Sequence, residues 1–139
     1  MGTRNDTPII GGLFALEIPV TDITRSQKFY SDLFGWQFEG IMPRGSDGVQ
    51  ALHFFKNAAQ SITGALVLLE QGHTPKSAGV DSWGLWPTLV VANVSEALKQ
   101  VEAQAGSVKT PRLELPSGMG VVAHVLDPDG NVLGIWSQV

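Results

Sequence analysis

Few side chains in this 139-residue sequence can do chemistry, and most of those stand on apolar strands. Glu17 is set in Phe14-Ala15-Leu16-Glu17-Ile18-Pro19-Val20. A carboxylate there can act as a general base, ligate a metal, or accept hydrogen bonds from a bound cation or amide. Its plainer reading is a glutamate on a solvent-facing strand. His53 lies in Ala51-Leu52-His53-Phe54-Phe55, and His124 in Val121-Val122-Ala123-His124-Val125-Leu126. An imidazole inside an apolar strand is either a ligand or proton shuttle, or simply a satisfied core or surface histidine. Joined to Glu17, the two would form a set of two histidines and one carboxylate able to hold a metal. His73 falls in a Gly/Pro/Ser-containing stretch and reads as solvated, and Glu70 reads as an exposed strand end. Cysteine is absent, which excludes disulfides, thiolate nucleophiles and Cys-ligated zinc or iron–sulfur sites. Asp127-Pro128-Asp129-Gly130-Asn131 looks superficially like a calcium loop. Its glycine comes too early and Gln138 stands where a bidentate glutamate belongs, so it is a turn. No phosphate-binding glycine loop, nucleophile elbow or zinc-protease helix motif is present.

The elements that must position these groups come from an internal repeat. Val20-Thr21-Asp22-Ile23-Thr24 parallels Val91-Ala92-Asn93-Val94-Ser95, and the same offset carries Lys28 to Lys99 and Gly35 to Gly106. Each copy reads as an apolar strand, an N-capping Asp22 or Asn93, an amphipathic helix, a glycine placed for a C-cap, and further strands. Phe29, Tyr30, Leu33 and Phe34 make the buried face of the first helix; Val94, Ala97, Leu98, Val101 and Ala105 form the stripe of the second. In the first strand Phe14, Leu16, Ile18 and Val20 face the helix, which leaves Ala15, Glu17 and Pro19 on the opposite side. By the repeat, Leu89 and Val91 match Ile18 and Val20, while Trp86 and Thr88 match Ala15 and Glu17. The later strands are read at Gln37–Ile41, Gln50–Phe55 and Ser61–Leu69, then Ser107–Leu115, Gly120–Leu126 and Val132–Ser137. The fold class is α+β: two paired βαβββ modules forming one curved mixed sheet around a cleft. A lead-in covers 1–12, module one 13–70, a linker 71–84 and module two 85–139.

The net charge of −4 comes without a basic stripe, so nucleic acid is not an expected partner. No apolar run approaches the roughly 18–20 residues of a membrane span. The polar Met1–Thr7 segment lacks a signal-peptide core, and a cytoplasmic location is the expectation.

Glu17-Ile18-Pro19-Val20-Thr21-Asp22, Phe29-Tyr30, Leu33-Phe34-Gly35-Trp36 and Asp127-Pro128-Asp129-Gly130-Asn131 together resemble the vicinal oxygen chelate superfamily. This group includes glyoxalase I, bleomycin-resistance proteins, fosfomycin-resistance thiol transferases and extradiol dioxygenases. The resemblance covers about residues 13–137, as a single domain of the glyoxalase-related type, and implies paired βαβββ modules and a homodimer. It also implies a divalent-metal site with one ligand on the first strand of each module, one near the end of module one and one past the final turn. Those positions fall on Ala15, Trp86, the stretch 64–70 and Gly134, and in that stretch only Glu70 is a carboxylate. Alanine and glycine bring no donor atom, and an indole N–H donates a hydrogen bond without ligating. The usual site should therefore not assemble.

Large aromatics where ligands would stand suggest a cleft rebuilt for stacking. The expected ligand-binding residues are Glu17, His53, Trp86, Thr88, Met119, His124 and Trp136, with Glu17 the catalytic candidate. Met119 enters through Ser117-Gly118-Met119-Gly120, a loop placed to close over a ligand or else a plain hairpin. Trp36 is expected in the core. The first functional reading is a metal-independent small-molecule binder without a cofactor. The alternative is a glyoxalase-like lyase, isomerase or dioxygenase relative, with a displaced metal or an acid–base site on Glu17. A third is an interaction module whose cleft is filled by its own side chains.

Overall fold

The computed structural model describes residues 9–76 and 81–139. The remainder of the lead-in and residues 77–80 of the linker lie outside the described residues. Module one runs β1 (Leu16–Val20), α1 (Ile23–Phe34), β2 (Gln37–Ser46), β3 (Val49–Lys56) and β4 (Thr63–Leu69). Module two runs β5 (Thr88–Val90), α2 (Val94–Ala103), β6 (Ser107–Glu114), β7 (Val121–Leu126) and β8 (Val132–Ser137). Both are βαβββ, as the repeat requires. The strands form two four-stranded mixed sheets, ordered β1-β4-β3-β2 and β5-β8-β7-β6. The hydrogen-bond ladder expected to run through one sheet is divided in two, with β1 and β2 the edges of one sheet and β5 and β6 those of the other, and the sheets do not close into a barrel. No helix among the described residues is long and apolar enough to cross a membrane.

The helices form where their caps and stripes place them. Asp22 accepts from the Arg25 N–H and Asn93 from the Glu96 N–H, each satisfying a first-turn donor at 3.0 Å. Gly35 ends α1 in the left-handed region, with φ of 70°. Gly106 does not play the same part: Ala105 takes the left-handed conformation instead, with φ of 66°. Gly106 is needed because a Cβ there would lie 2.7 Å from Val101 Cγ1 and 2.8 Å from the Leu126 carbonyl oxygen. α1 and α2 touch, and one apolar core joins Ile18, Val20, Phe29 and Tyr30 of module one to Val94, Val101, Val125 and Ile135 of module two. Trp36 is buried in this core, stacked on Phe55 with ring centroids 3.9 Å apart.

Side chains lock the modules across the seam. The Asp127–Asn131 turn folds its first carboxylate inward. Asp127 Oδ1 accepts from the N–H groups of Asp129 and Asn131 at 2.9 Å each, and Oδ2 from Asn131 Nδ2 at 2.9 Å. The Tyr30 hydroxyl of α1 donates to the same Oδ2 at 2.6 Å. Asn131 Nδ2 also donates to the Pro19 carbonyl at 2.9 Å, and Arg25 and Thr21 bind Asp129. Burial pushes the Asp127 carboxyl above the usual carboxylate range, against the pull of the Tyr30 and Asn131 donors.

Tyr30 is the one tyrosine of the sequence, and burial, reinforced by Asp127, raises its phenol well above the ordinary value of 10.0. A raised folded-state value means stability that is intact below pH 10 and falls as pH climbs past it, because only the unfolded chain releases the proton. Ultraviolet titration should therefore show no phenolate in the native protein at pH 10, with phenolate rising only together with unfolding. A phenolate band appearing at pH 10 while the fold persists would contradict this.

Candidate functional site

Strand pairing decides which side chains share a face. In sheet one Glu17 pairs with Ala65 and Ala65 with Phe54, so these three point away from α1. With Ala15, Lys56, Glu39 and Thr63 they line an apolar cavity of about 520 Å³. Lys56 Nζ lies 2.7 Å from Glu39 Oε1 and holds that carboxyl below its usual range. Glu17 has no hydrogen-bond or ion-pair partner among the described residues.

His53 pairs with Leu66, which pairs with Ile18. It therefore lies on the helix-facing side of sheet one and lines a small cavity with Gln27 of α1, Phe38 and Ile41. The expectation that His53 lines the cleft is thus corrected: antiparallel pairing gives it the parity of Ile18, not of Glu17. Burial lowers its imidazole from 6.5. Glu70 is likewise off the cleft, beside Thr21, Asp22 and His73 at the start of α1.

In module two Thr88 pairs with Gly134 and Gly134 with His124, so these share the face opposite α2. Trp83 and Trp86 stand edge-on to the His124 ring at 5.0 and 5.3 Å, and 4.8 Å from each other. Lys109 Nζ lies 4.3 Å over the Trp83 ring and donates to the Ser82 carbonyl at 2.6 Å. Burial first, then the Lys109 charge, lowers the His124 imidazole from 6.5, so it is neutral at neutral pH. Its Nδ1 is buried without a hydrogen-bond partner among the described residues.

The two halves meet in a seam cavity of about 490 Å³, lined by Leu13, Glu17 and Pro19 from one side and by Leu85, Trp86 and Asn131 from the other. Both cavities fall in the size range of ligand pockets, roughly 300–1,000 Å³. The structure thus brings Glu17 to Trp86, and Trp86 to His124 and Thr88. Trp136 and Met119 form a separate group, since the Trp136 indole N–H donates to the Met119 carbonyl at 2.8 Å and neither lines the seam cavity. Sequence reasoning missed Trp83, hidden in the presumed linker, and Lys109, Phe54 and Lys56. For the last two, the parity of their strand was the available signal.

The fold and site can now be set beside known proteins. Residues 13–47 match the Bleomycin resistance protein-like N-terminal family. A glyoxalase family protein from Bacillus cereus aligns with a TM-score of 0.75 at 11% identity, covering 97% of this chain and 98% of that one. An antibiotic-binding protein from a Streptomyces species aligns with a TM-score of 0.64 at 19% identity, covering 94% and 98%. A putative glyoxylase of Mycobacterium bovis is 24% identical over 122 residues, 87% of this chain and 43% of that protein. The chain has the fold of the glyoxalase and bleomycin-resistance proteins, and its first module is similar in sequence to the N-terminal part of the latter. It spans less than half the length of the curated glyoxylase it matches.

Vicinal oxygen chelate enzymes imply a divalent metal, and the residues here do not fit one. Ala15 lines the first cavity without a donor atom, and Trp86 packs its ring against His124. The room beside Gly134 is taken, since a Cβ there would stand 2.3 Å from Thr88 Oγ1. Among the described residues no three histidine or acidic side chains come together in a metal-holding group. His53 and Glu17, on opposite faces of their sheet, cannot share an ion in the displaced set considered from the sequence.

Proposed function

We propose that this protein binds a small organic molecule on the concave face without a metal ion. The aromatic pair Trp83 and Trp86 supports this reading: Trp86 shares a cavity with Glu17 and stands at a position where the sequence resemblance expects a chelating side chain. Thr88 and the neutral His124 supply hydrogen-bonding groups on the same face, and Trp136 with Met119 walls its far end. The fold shared with an antibiotic-binding protein supports the reading. Glu17 as a general base is the catalytic alternative, and nothing beyond its position favours it.

The test is a tryptophan-fluorescence titration with a library of planar apolar compounds, before and after treatment with a chelator. Binding is expected to survive chelation, and Trp86→Ala to weaken it about tenfold by removing an aromatic contact of roughly 0.5–1.5 kcal/mol and its apolar area. Binding that disappears on chelation and returns with a divalent ion would overturn the proposal.

We also propose a homodimer. Phe14 is 94% exposed and Val90 73%, and with Leu113 they leave apolar side chains outside the proposed ligand contacts that a second copy would cover. Light scattering at micromolar concentration should give twice the chain mass of 14.9 kDa; a monomer mass would refute it.

A further inference from the structure

We propose that the ligand is a planar aromatic carrying a cationic amine, its ring against Trp86 and its amine at Glu17. This rests on the reading of the concave face as a small-molecule site and names the class of molecule that face selects. The cavity where Glu17 and Trp86 meet offers an aromatic face and one carboxylate. Among the described residues, three positive side chains of the neighbouring elements are engaged elsewhere. Lys56 pairs with Glu39, Arg25 with Asp129, and Lys109 with the Ser82 carbonyl and the Trp83 ring. His124 adds no charge, being held neutral by burial and by Lys109.

The face is therefore polarised. Its Trp83 end already carries a cation, Lys109, which repels a second one. Its Glu17 end carries a negative charge with no ion-pair partner among the described residues. Trp86 lies between, within ring contact of Trp83 and on the same cavity as Glu17. A flat ring set on Trp86 with its amine toward Glu17 satisfies all three, and the amine gains the attraction that aromatic faces and carboxylates both offer to cations. An anionic ligand would meet Glu17 unfavourably, and a neutral one would leave that carboxylate unmatched.

Three tricyclic probes separate the possibilities at physiological ionic strength: a cationic aminomethyl-acridone, neutral acridone and an anionic anthraquinone sulfonate. Binding is followed by tryptophan quenching and checked by calorimetry. The cation is expected to bind about tenfold more tightly than either of the others, and Glu17→Gln to remove most of that preference. Glu102→Gln, an exposed carboxylate on α2, should leave it unchanged. Glu17 is exposed, so the variant should melt with the parent protein. If acridone binds as tightly as its aminomethyl derivative, or if Glu17→Gln shifts all three probes alike, the cation proposal falls while the aromatic binding site stands. If none of the three binds, the small-molecule reading falls with it.

Discussion

Asp127→Ala is expected to cost about 3–5 kcal/mol of stability, enough to leave much of the protein unfolded at 37 °C. The magnitude follows from what the carboxylate satisfies. It accepts two backbone N–H groups of its own turn, the Asn131 amide and the Tyr30 hydroxyl, the last at 2.6 Å in the core. Truncation strands the Tyr30 hydroxyl in the core and three half-buried donors of the turn, and a buried donor so stranded costs roughly 1–3 kcal/mol. The turn would also lose the geometry that lets Asn131 reach the Pro19 carbonyl of β1. Denaturant unfolding at neutral pH measures the effect. Asp129→Ala is the comparison: its carboxylate also reaches module one, but through Thr21, the half-exposed Arg25 and a long 3.4 Å contact from Ser26, with no counterpart to the 2.6 Å Tyr30 bond. Equal losses in the two variants would show that the Tyr30–Asp127 bond is not the main lock between modules.

Gly64→Ala should be as damaging, for a steric reason. The missing Cβ would stand 1.8 Å from the Leu16 carbonyl oxygen and 2.7 Å from Phe55 Cζ. The first neighbour is backbone, so no rotamer change relieves the contact. β1 must move off β4, and the Leu16–Val20 pairing with Gly64–Leu68 is lost at its first residue. Overpacking that side chains can absorb costs roughly 1–3 kcal/mol, and this substitution should exceed it. The expected outcome is insoluble protein, or a melting temperature lowered by more than 10 °C on the usual scale of about 4–8 °C per kcal/mol for small domains. Since β1 carries Glu17, any folded remnant should also lose ligand affinity. Near-parental melting would mean that β1 is not anchored as described.

The same two positions show what the chain reveals by itself and what it withholds. Caps at Asp22 and Asn93 and the stripes behind them are local, so both helices and the doubled βαβββ plan could be read from sequence. Parity along single strands correctly grouped Glu17 with Ala15, and Trp86 with Thr88. His53 escaped because the face of β3 is set by its register against β4, and register belongs to two strands at once. Asp127 read as a turn residue because its partner Tyr30 lies 97 residues away. The extension of β2 to Ser46 had a local sign that went unused: Asp47-Gly48, a two-residue hairpin pair. Trp83 lies in irregular chain, where no period assigns a face.

Thr88 and Gly134 are parallel partners whose side-chain space is shared, and the threonine already occupies it. Engineering a chelating glutamate into the last strand would therefore fail as a single step and require trimming residue 88 first. The two sites are epistatic: each tolerates change only in the background the other provides, and a designer seeking to convert this scaffold to metal catalysis must alter both together.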